Sequence, residues 1–274
     1  MKLKATIIDL YDNEPNQGMR CLQDLLKEAD GRFNDIDLSY DIYETRFKNE
    51  IPDLNYDIYI SSGGPGSPYD GEGTEWERKY FNLLDKIWTN NQNPSNRKKY
   101  LFFICHSFQI MVRFFKLGFV IERESRSFGI VPVHKTKEGE KEIIFKPLPN
   151  PFLAADFRNW QAIQPDKKRF DELNAKLLCI EDYHAHDPNL ERAMMAIRVS
   201  NEIFATQFHP EADPASMHYH FKQPEKQKEV IEEYGKEKLK LMLERLETPD
   251  NITLTRNTVI PSFLDNAIKQ LKQR

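Results

Sequence analysis

Apolar positions over the first 120 residues follow two alternating periods. Ala5 to Leu10 is a short, largely apolar run, and Ile36, Leu38, Tyr40 and Ile42 recur at every second position, so both read as strands. Between them Met19, Leu22, Leu25, Leu26 and Ala29 fall at helical spacing, with Gly31 where a terminating glycine belongs. Asp57 to Ser62 is a third strand, running into Gly63-Gly64-Pro65-Gly66. Thr74 and Glu77 have the spacing of a capping box, and Trp76, Tyr80, Leu84 and Trp88 line the helix behind them. Tyr100 to Ile104 is apolar throughout, as a strand covered on both faces requires. Ser107 to Leu117 then reads as a helix stopped by Gly118. This alternation predicts an α/β fold with a single open, mainly parallel sheet flanked by helices.

Beyond Phe119 the runs shorten. Segments 129–134, 141–146, 176–181, 194–199 and 203–208 read as strands that complete the sheet and add a small antiparallel patch. After Glu211 the chain becomes highly charged, and 224–247 reads as one helix with Val230, Ile231, Leu239 and Leu246 on a loose apolar stripe. A last helix is expected near Pro261 to Leu271. No repeat or linker divides the chain. The expected organisation is an α/β domain over 1–212, with a helical C-terminal extension over 213–274 packed on the same domain.

Composition narrows the possible roles. With 39 Lys+Arg against 43 Asp+Glu the net charge is −4, and no basic block supplies a nucleic-acid footprint. Eighteen Phe, eleven Tyr and three Trp provide a core, so a disordered chain is excluded. A membrane span needs about 20 consecutive apolar residues, and the best run, Leu101 to Cys105, is far shorter. The N-terminus reaches Asp9 before any cleavage-like signal and reads as a strand rather than a leader. Cys21, Cys105 and Cys179 are too few and too scattered for a disulfide framework. A cytoplasmic protein with free thiols is expected. His184, His186 and Asp187 lack a further ligand, as do His218 and His220, so neither a metal nor a cofactor is expected.

Three features carry chemistry, and all fall at predicted strand ends, where open α/β sheets bind their ligands. Cys105 closes the fourth strand just before a helix, whose N-terminus favours a thiolate. In Gln207-Phe208-His209-Pro210-Glu211, residues two apart share a face, so Glu211 can orient His209 toward a nucleophile. Ser62-Gly63-Gly64-Pro65-Gly66 can bring backbone N–H groups to a developing oxyanion. It lacks the Lys-Ser/Thr of a phosphate-binding P-loop. Taken singly, these are a buried cysteine, a His-Pro turn and a glycine turn. Together they describe a nucleophile, a base with its orienting acid, and an oxyanion loop.

Gly-Gly-Pro-Gly after a strand, a cysteine followed four residues later by Gln, and a downstream Phe-His-Pro-Glu resemble the class I, triad-type glutamine amidotransferases. Within that family the chain is similar to the amidotransferase portion of GMP synthetase. The resemblance runs from about Asp57 to Glu211 and more weakly back to Met1. It implies a flavodoxin-like glutaminase fold that hydrolyses the glutamine side-chain amide through a γ-glutamyl thioester. By this likeness Cys105 is the nucleophile, His209 its base and Glu211 the orienting acid. Gly64 and His106 would give the oxyanion-hole N–H groups, Gln109 would hold the glutamine, and Ser127, Phe128 and Gly129 would contact the substrate backbone.

Two residues depart from the family's Gly-x-Cys-x-Gly-x-Gln. Phe103 replaces the first glycine, where it would fill a pocket or narrow the glutamine site, and Ser107 replaces the second. The family's serine-histidine segment has no clear counterpart, and Arg158-Asn159-Trp160-Gln161 is the nearest by position. The expected partner is a separate synthetase that consumes the ammonia, because no nucleotide-binding signature follows the triad. Two other readings stand beside this one. They are a free-standing γ-glutamyl peptide hydrolase and a non-catalytic protein that kept the fold.

Overall fold

The computed structural model describes residues 1–182, 191–247 and 250–273. The first half runs β1 (Lys2–Asp9), α1 (Gln17–Arg32), β2 (Asp37–Glu44), the one-turn α2 (Thr45–Lys48), β3 (Ile58–Ser61), α3 (Glu75–Gln92), β4 (Tyr100–Ile104) and α4 (His106–Phe115). Next come β5 (Phe119–Lys135), α5 (Lys137–Lys141), β6 (Phe152–Ile163), α6 (Lys167–Leu173), β7 (Lys176–Glu181), β8 (Met194–Arg198) and β9 (Ile203–Thr206). Four helices close the chain: α7 (Pro214–Lys222), α8 (Pro224–Tyr234), α9 (Lys236–Glu247) and α10 (Asp250–Lys272). Among the described residues the strands form one open sheet in the order β2-β1-β3-β4-β9-β8-β7-β5-β6. From β2 to β9 every neighbouring pair is parallel, and from β9 to β6 every pair is antiparallel. The mixed α/β sheet is the expected one, with the antiparallel part continuous with it rather than a separate patch.

Strand alternation assigns each apolar side chain to a face. Phe102 and Ile104 point to one face, where Leu22 and Leu25 of α1 and Phe263, Leu264 and Ala267 of α10 cover them. Leu101 and Phe103 point to the other, against Tyr80 and Leu84 of α3 and Phe108 and Val112 of α4. A third cluster joins Phe128, Ile130 and Ala155 to Met217, Phe221, Val230 and Leu239 of the closing helices. Helix α10 is thus one wall of the main core. Among the described residues no helix is long and apolar enough to cross a membrane.

Several elements differ from expectation, each for a local reason. Segment 141–146 is the end of α5 followed by a tight turn at Ile143–Phe145, because the Glu142 side chain accepts from the Ile144 N–H. Strand β5 begins at Phe119 rather than at residue 129, with its pairing to β6 broken between Glu122 and Ser127. Strand β6 has no counterpart among the expected elements. Gly31 lies inside α1, which ends at Arg32 against an extended Phe33. The helix expected over 224–247 divides at Gly235, whose φ of +81° interrupts α-helical geometry. The last helix starts at Asp250 and carries Pro261 in its interior. The expected His184 and His186 lie outside the described residues.

The ring of Phe263 meets Phe102 edge-on at a centroid distance of 5.1 Å. Phe263→Ala is expected to lower the unfolding free energy by about 3–5 kcal/mol, measured by urea denaturation. A loss below about 1 kcal/mol would contradict the place of α10 in the core.

Candidate active site

The site forms where β1, β3, β4 and β9 end together. Cys105 follows β4 directly and has φ +48° and ψ −98°, a backbone region that costs an L-residue on the order of 1–3 kcal/mol. Specific bonds hold it there. The Cys105 N–H donates to the Thr206 carbonyl at 2.8 Å, and its own carbonyl accepts the Gln109 N–H of α4 at 3.1 Å. The Ser107 hydroxyl accepts from the Ile104 N–H at 2.8 Å, with the carbonyls of Ser61 and Ile104 in reach at 2.8 and 3.0 Å. Ser107 at the family's glycine position therefore ties the bend to the end of β3. Phe103 lies on the opposite face of the sheet, wholly buried, and lines neither cavity beside Cys105. It does not narrow the site, because its ring packs with Tyr80 and Phe108 under α3 and α4, and the positive φ of Cys105 breaks the alternation that would otherwise put the two on one face.

His209 comes from the segment after β9, fixed where its N–H donates to the Ala155 carbonyl of β6 at 2.8 Å. Its Nδ1 lies 2.8 Å from Glu211 Oε1, which leaves Nε2 for Cys105. Burial acts to lower the His209 pKa, but Glu211 and then the hydrogen-bonded Cys105 hold it well above its usual 6.5. Glu211 is 1% exposed, and its Oε2 has no hydrogen-bond partner among the described residues. The glycine loop passes close to these groups. A Cβ on Gly63 would stand 2.9 Å from His209 Cε1, and one on Gly64 would stand 2.4 Å from the Leu10 carbonyl. Only glycine lets the loop approach so closely.

A cavity of about 260 Å³ opens beside Cys105 between the Gly64–Gly66 loop and β6. Gly64, His106 and Gln109 form one side of it, and Arg158, Asn159 and Trp160 the other. The segment nearest by position to the missing serine-histidine pair thus falls on the wall of this pocket. Ser127, Phe128 and Gly129 do not. The β5–β6 ladder resumes at Ser127, so its hydroxyl turns to Asp156 at 2.6 Å and Phe128 packs between Phe157 and Phe221. The irregular stretch just before them carries Arg126 to the cavity instead. A second cavity, of about 390 Å³, lies on the other side of Cys105 against Tyr11, His209, Glu211, Ser216 and Met217.

The charges around the bend are fixed by partners. His106 Nε2 lies 3.4 Å from Arg46 Nη1, and a guanidinium only donates, so Nε2 accepts and the ring proton sits on Nδ1. Burial, with Arg46 and Arg113, pushes the His106 pKa down to about 3. Arg46 also donates to the Pro65 carbonyl at 2.7 Å, clamping the glycine loop. On the pocket wall Arg158 bonds Asp156 at 2.8 Å and Glu181 at 2.9 Å, and Arg123 reaches Glu181 at 3.0 Å. Burial acts to raise the Glu181 carboxyl, but Arg158 and Arg123 more than offset it and keep it ionised.

Sequence reasoning missed Tyr11, Arg126 and the role of Gln207. Tyr11 stands past the end of β1, where the strand-end rule points. Burial and then the Glu211 charge push its phenol well above 10, so it stays protonated. Gln207 Nε2 lies 3.6 Å from Cys105 Sγ.

The fold is thus an open, mixed α/β sheet with a cysteine on a strained strand-to-helix bend and a buried His–Glu pair beside it. The chain belongs to the class-I glutamine amidotransferase family, whose model matches residues 27–224. Solved structures share the fold at low identity. A glutamine amidotransferase from Thermotoga maritima is similar at a TM-score of 0.64 and 15% identity, over 98% of this chain and 97% of that one. One from Methylobacillus flagellatus is similar at 0.64 and 14%, over 98% and 95%. A Thermoplasma acidophilum protein, provisionally described as one subunit of a GMP synthase, is similar at 0.55 and 16%, over 99% and 98%. No curated protein matches the chain.

Nuclear magnetic resonance titration of the imidazoles is expected to find His106 neutral through the whole neutral range, with a midpoint at about 3. Arg46→Met should raise that midpoint, leaving it below 6.5 because burial persists. A wild-type midpoint near 6.5 would contradict the buried, cation-flanked ring.

Proposed function

We propose that the chain hydrolyses the side-chain amide of glutamine, with Cys105 as nucleophile, His209 as base and Glu211 as the acid that orients it. The observation that carries this reading is the buried His209–Glu211 pair, 2.8 Å apart, facing a cysteine held at a strained bend. The Cys105 thiolate attacks the amide carbon, and the oxyanion is met by backbone N–H groups at Gly64 and His106 beside the helix N-terminus. His209 Nε2 then protonates the leaving nitrogen and ammonia departs, leaving a γ-glutamyl thioester. The same imidazole takes a proton from water, which attacks the thioester and releases glutamate. Glu211 stabilises the imidazolium formed in each half of the cycle. A neutral His106 suits its place beside the oxyanion loop, since its ring accepts from Arg46 and contributes no competing charge.

The ammonia goes to a separate synthetase. What supports this is the likeness to the Thermoplasma protein described as part of a GMP synthase, matched along almost its whole length. One observation favours hydrolysis of γ-glutamyl peptides instead. The cavity on the His209 side of Cys105 is larger than ammonia needs and would seat a bulkier leaving group. The non-catalytic reading gains nothing, since Ser107 supports the bend and Phe103 faces away from it.

Purified protein is expected to release ammonia from glutamine, and Cys105→Ala to abolish that release. Glu211→Gln should lower kcat by on the order of 10³–10⁴-fold, because the imidazole loses its orienting charge. A higher kcat/KM for small γ-glutamyl peptides than for glutamine would move the assignment to the peptide hydrolase. Equal release by wild type and Cys105→Ala would remove Cys105 from the chemistry.

A further inference from the structure

Behind the bend a row of buried side chains leads from the substrate pocket to the sulfur. Gln109 Nε2 donates to the Trp160 carbonyl at 3.0 Å and to Gln207 Oε1 at 3.2 Å. Gln207 Nε2 in turn lies 3.6 Å from Cys105 Sγ, and both amides are almost completely buried. The direction of this row is forced. A backbone carbonyl only accepts, so Gln109 must turn its NH2 toward Trp160. The same NH2 faces Gln207, which must therefore present its oxygen, and the remaining NH2 of Gln207 is left against sulfur. Both hydrogens of Gln109 Nε2 are consumed in this way. Any bond from Gln109 to a bound substrate is then one in which its Oε1 accepts.

We propose that Gln207 is a further catalytic residue, a hydrogen-bond donor to the Cys105 thiolate, and that Gln109 acts as the positioning residue that aims it. The proposal rests on the reading of Cys105 as nucleophile. A donor to an anionic sulfur is stronger than the same donor to a neutral thiol, so the bond favours the charged form. Because the row starts at Trp160, the pocket wall and the nucleophile share one rigid chain of bonds. Resting and reacting states differ in a definite way at the sulfur. The thiol can donate to the Phe157 carbonyl, 3.8 Å away, whereas the thiolate has no proton to give and turns to Gln207 and His209.

The test follows the pH dependence of Cys105 alkylation by iodoacetamide, read by peptide mass. The charged and titratable groups facing the sulfur are His209 and Glu211 after β9, Arg158 on β6, Arg126 on β5, Tyr11 after β1 and His106 on α4. All are retained in the variants. Gln207→Met keeps the side-chain volume and removes the donor. It is expected to move the alkylation midpoint up by about one pH unit, a tenfold loss of rate below the midpoint. Gln207→Glu, of the same shape, sets a carboxylate against the sulfur and should move it further. Gln109→Met keeps the backbone bond to the Cys105 carbonyl and replaces a side chain that has no hydrogen bond to the sulfur, yet should move the midpoint in the same direction. The double Met variant should move it no further than Gln207→Met alone, because both changes break one row.

Unchanged midpoints in Gln207→Met and Gln207→Glu would overturn the donor, and additive shifts in the double variant would overturn the relay. Failure of the underlying reading looks different. Wild-type Cys105 would then be alkylated no faster than the buried Cys21 and Cys179.

Discussion

The strained turn at Cys105 is the constraint on which the rest of the site depends. A residue at φ +48° and ψ −98° does not hold that shape alone. It is held because β4 is wedged between β3 and β9, and because α4 starts immediately and consumes the Cys105 carbonyl. Ser107 completes the restraint by tying the first turn of α4 to the end of β3. The outcome is a sulfur at the foot of two cavities, with backbone N–H groups of a helix start beside it. The parallel half of the sheet supplies the bend, and the antiparallel half supplies the pocket wall and the anchor for His209.

Electrostatics follow from that geometry. Burial would make His209 neutral, yet the Glu211 carboxylate at 2.8 Å reverses the sign and favours the imidazolium. His106, buried beside two guanidiniums, is driven the opposite way. Two histidines within one site therefore have separated protonation states, one favouring its charged form and the other a neutral, fixed acceptor. The paired arginines and carboxylates of β5, β6 and β7 are buried together, which keeps their charges compensated where single ones would be costly. They hold rigid the strand that carries Asn159 and Trp160.

Much of this was legible in the sequence. Strands with one period and helices with another located the parallel half of the sheet. The convergence of Cys105, His209 and the glycine loop followed from their places at strand ends. Strand β6 was hidden because Asp156 and Arg158 interrupt its apolar pattern, and their burial depends on Glu181 and Arg123 far along the chain. The same long-range pairing decided that Arg126, and not Ser127, reaches the pocket, since one irregularity in the β5–β6 ladder sets which residues turn outward. Phe103 looked like an obstruction because, two residues before Cys105, strand alternation would place it on the same face, whereas the positive φ of Cys105 turns the sulfur away from it. Gln207 was visible as a letter beside His209. Its bearing on sulfur needed the Trp160 carbonyl, which no local pattern predicts.

The proposed reaction passes through a covalent γ-glutamyl intermediate on Cys105. Rapid acid quenching of the protein turning over glutamine, followed by peptide mass measurement, tests it most directly. A mass gain of one γ-glutamyl group is expected, confined to the peptide carrying Cys105 and absent from Cys105→Ala. Turnover with no adduct on that peptide, or with the adduct on Cys21 or Cys179, would contradict it.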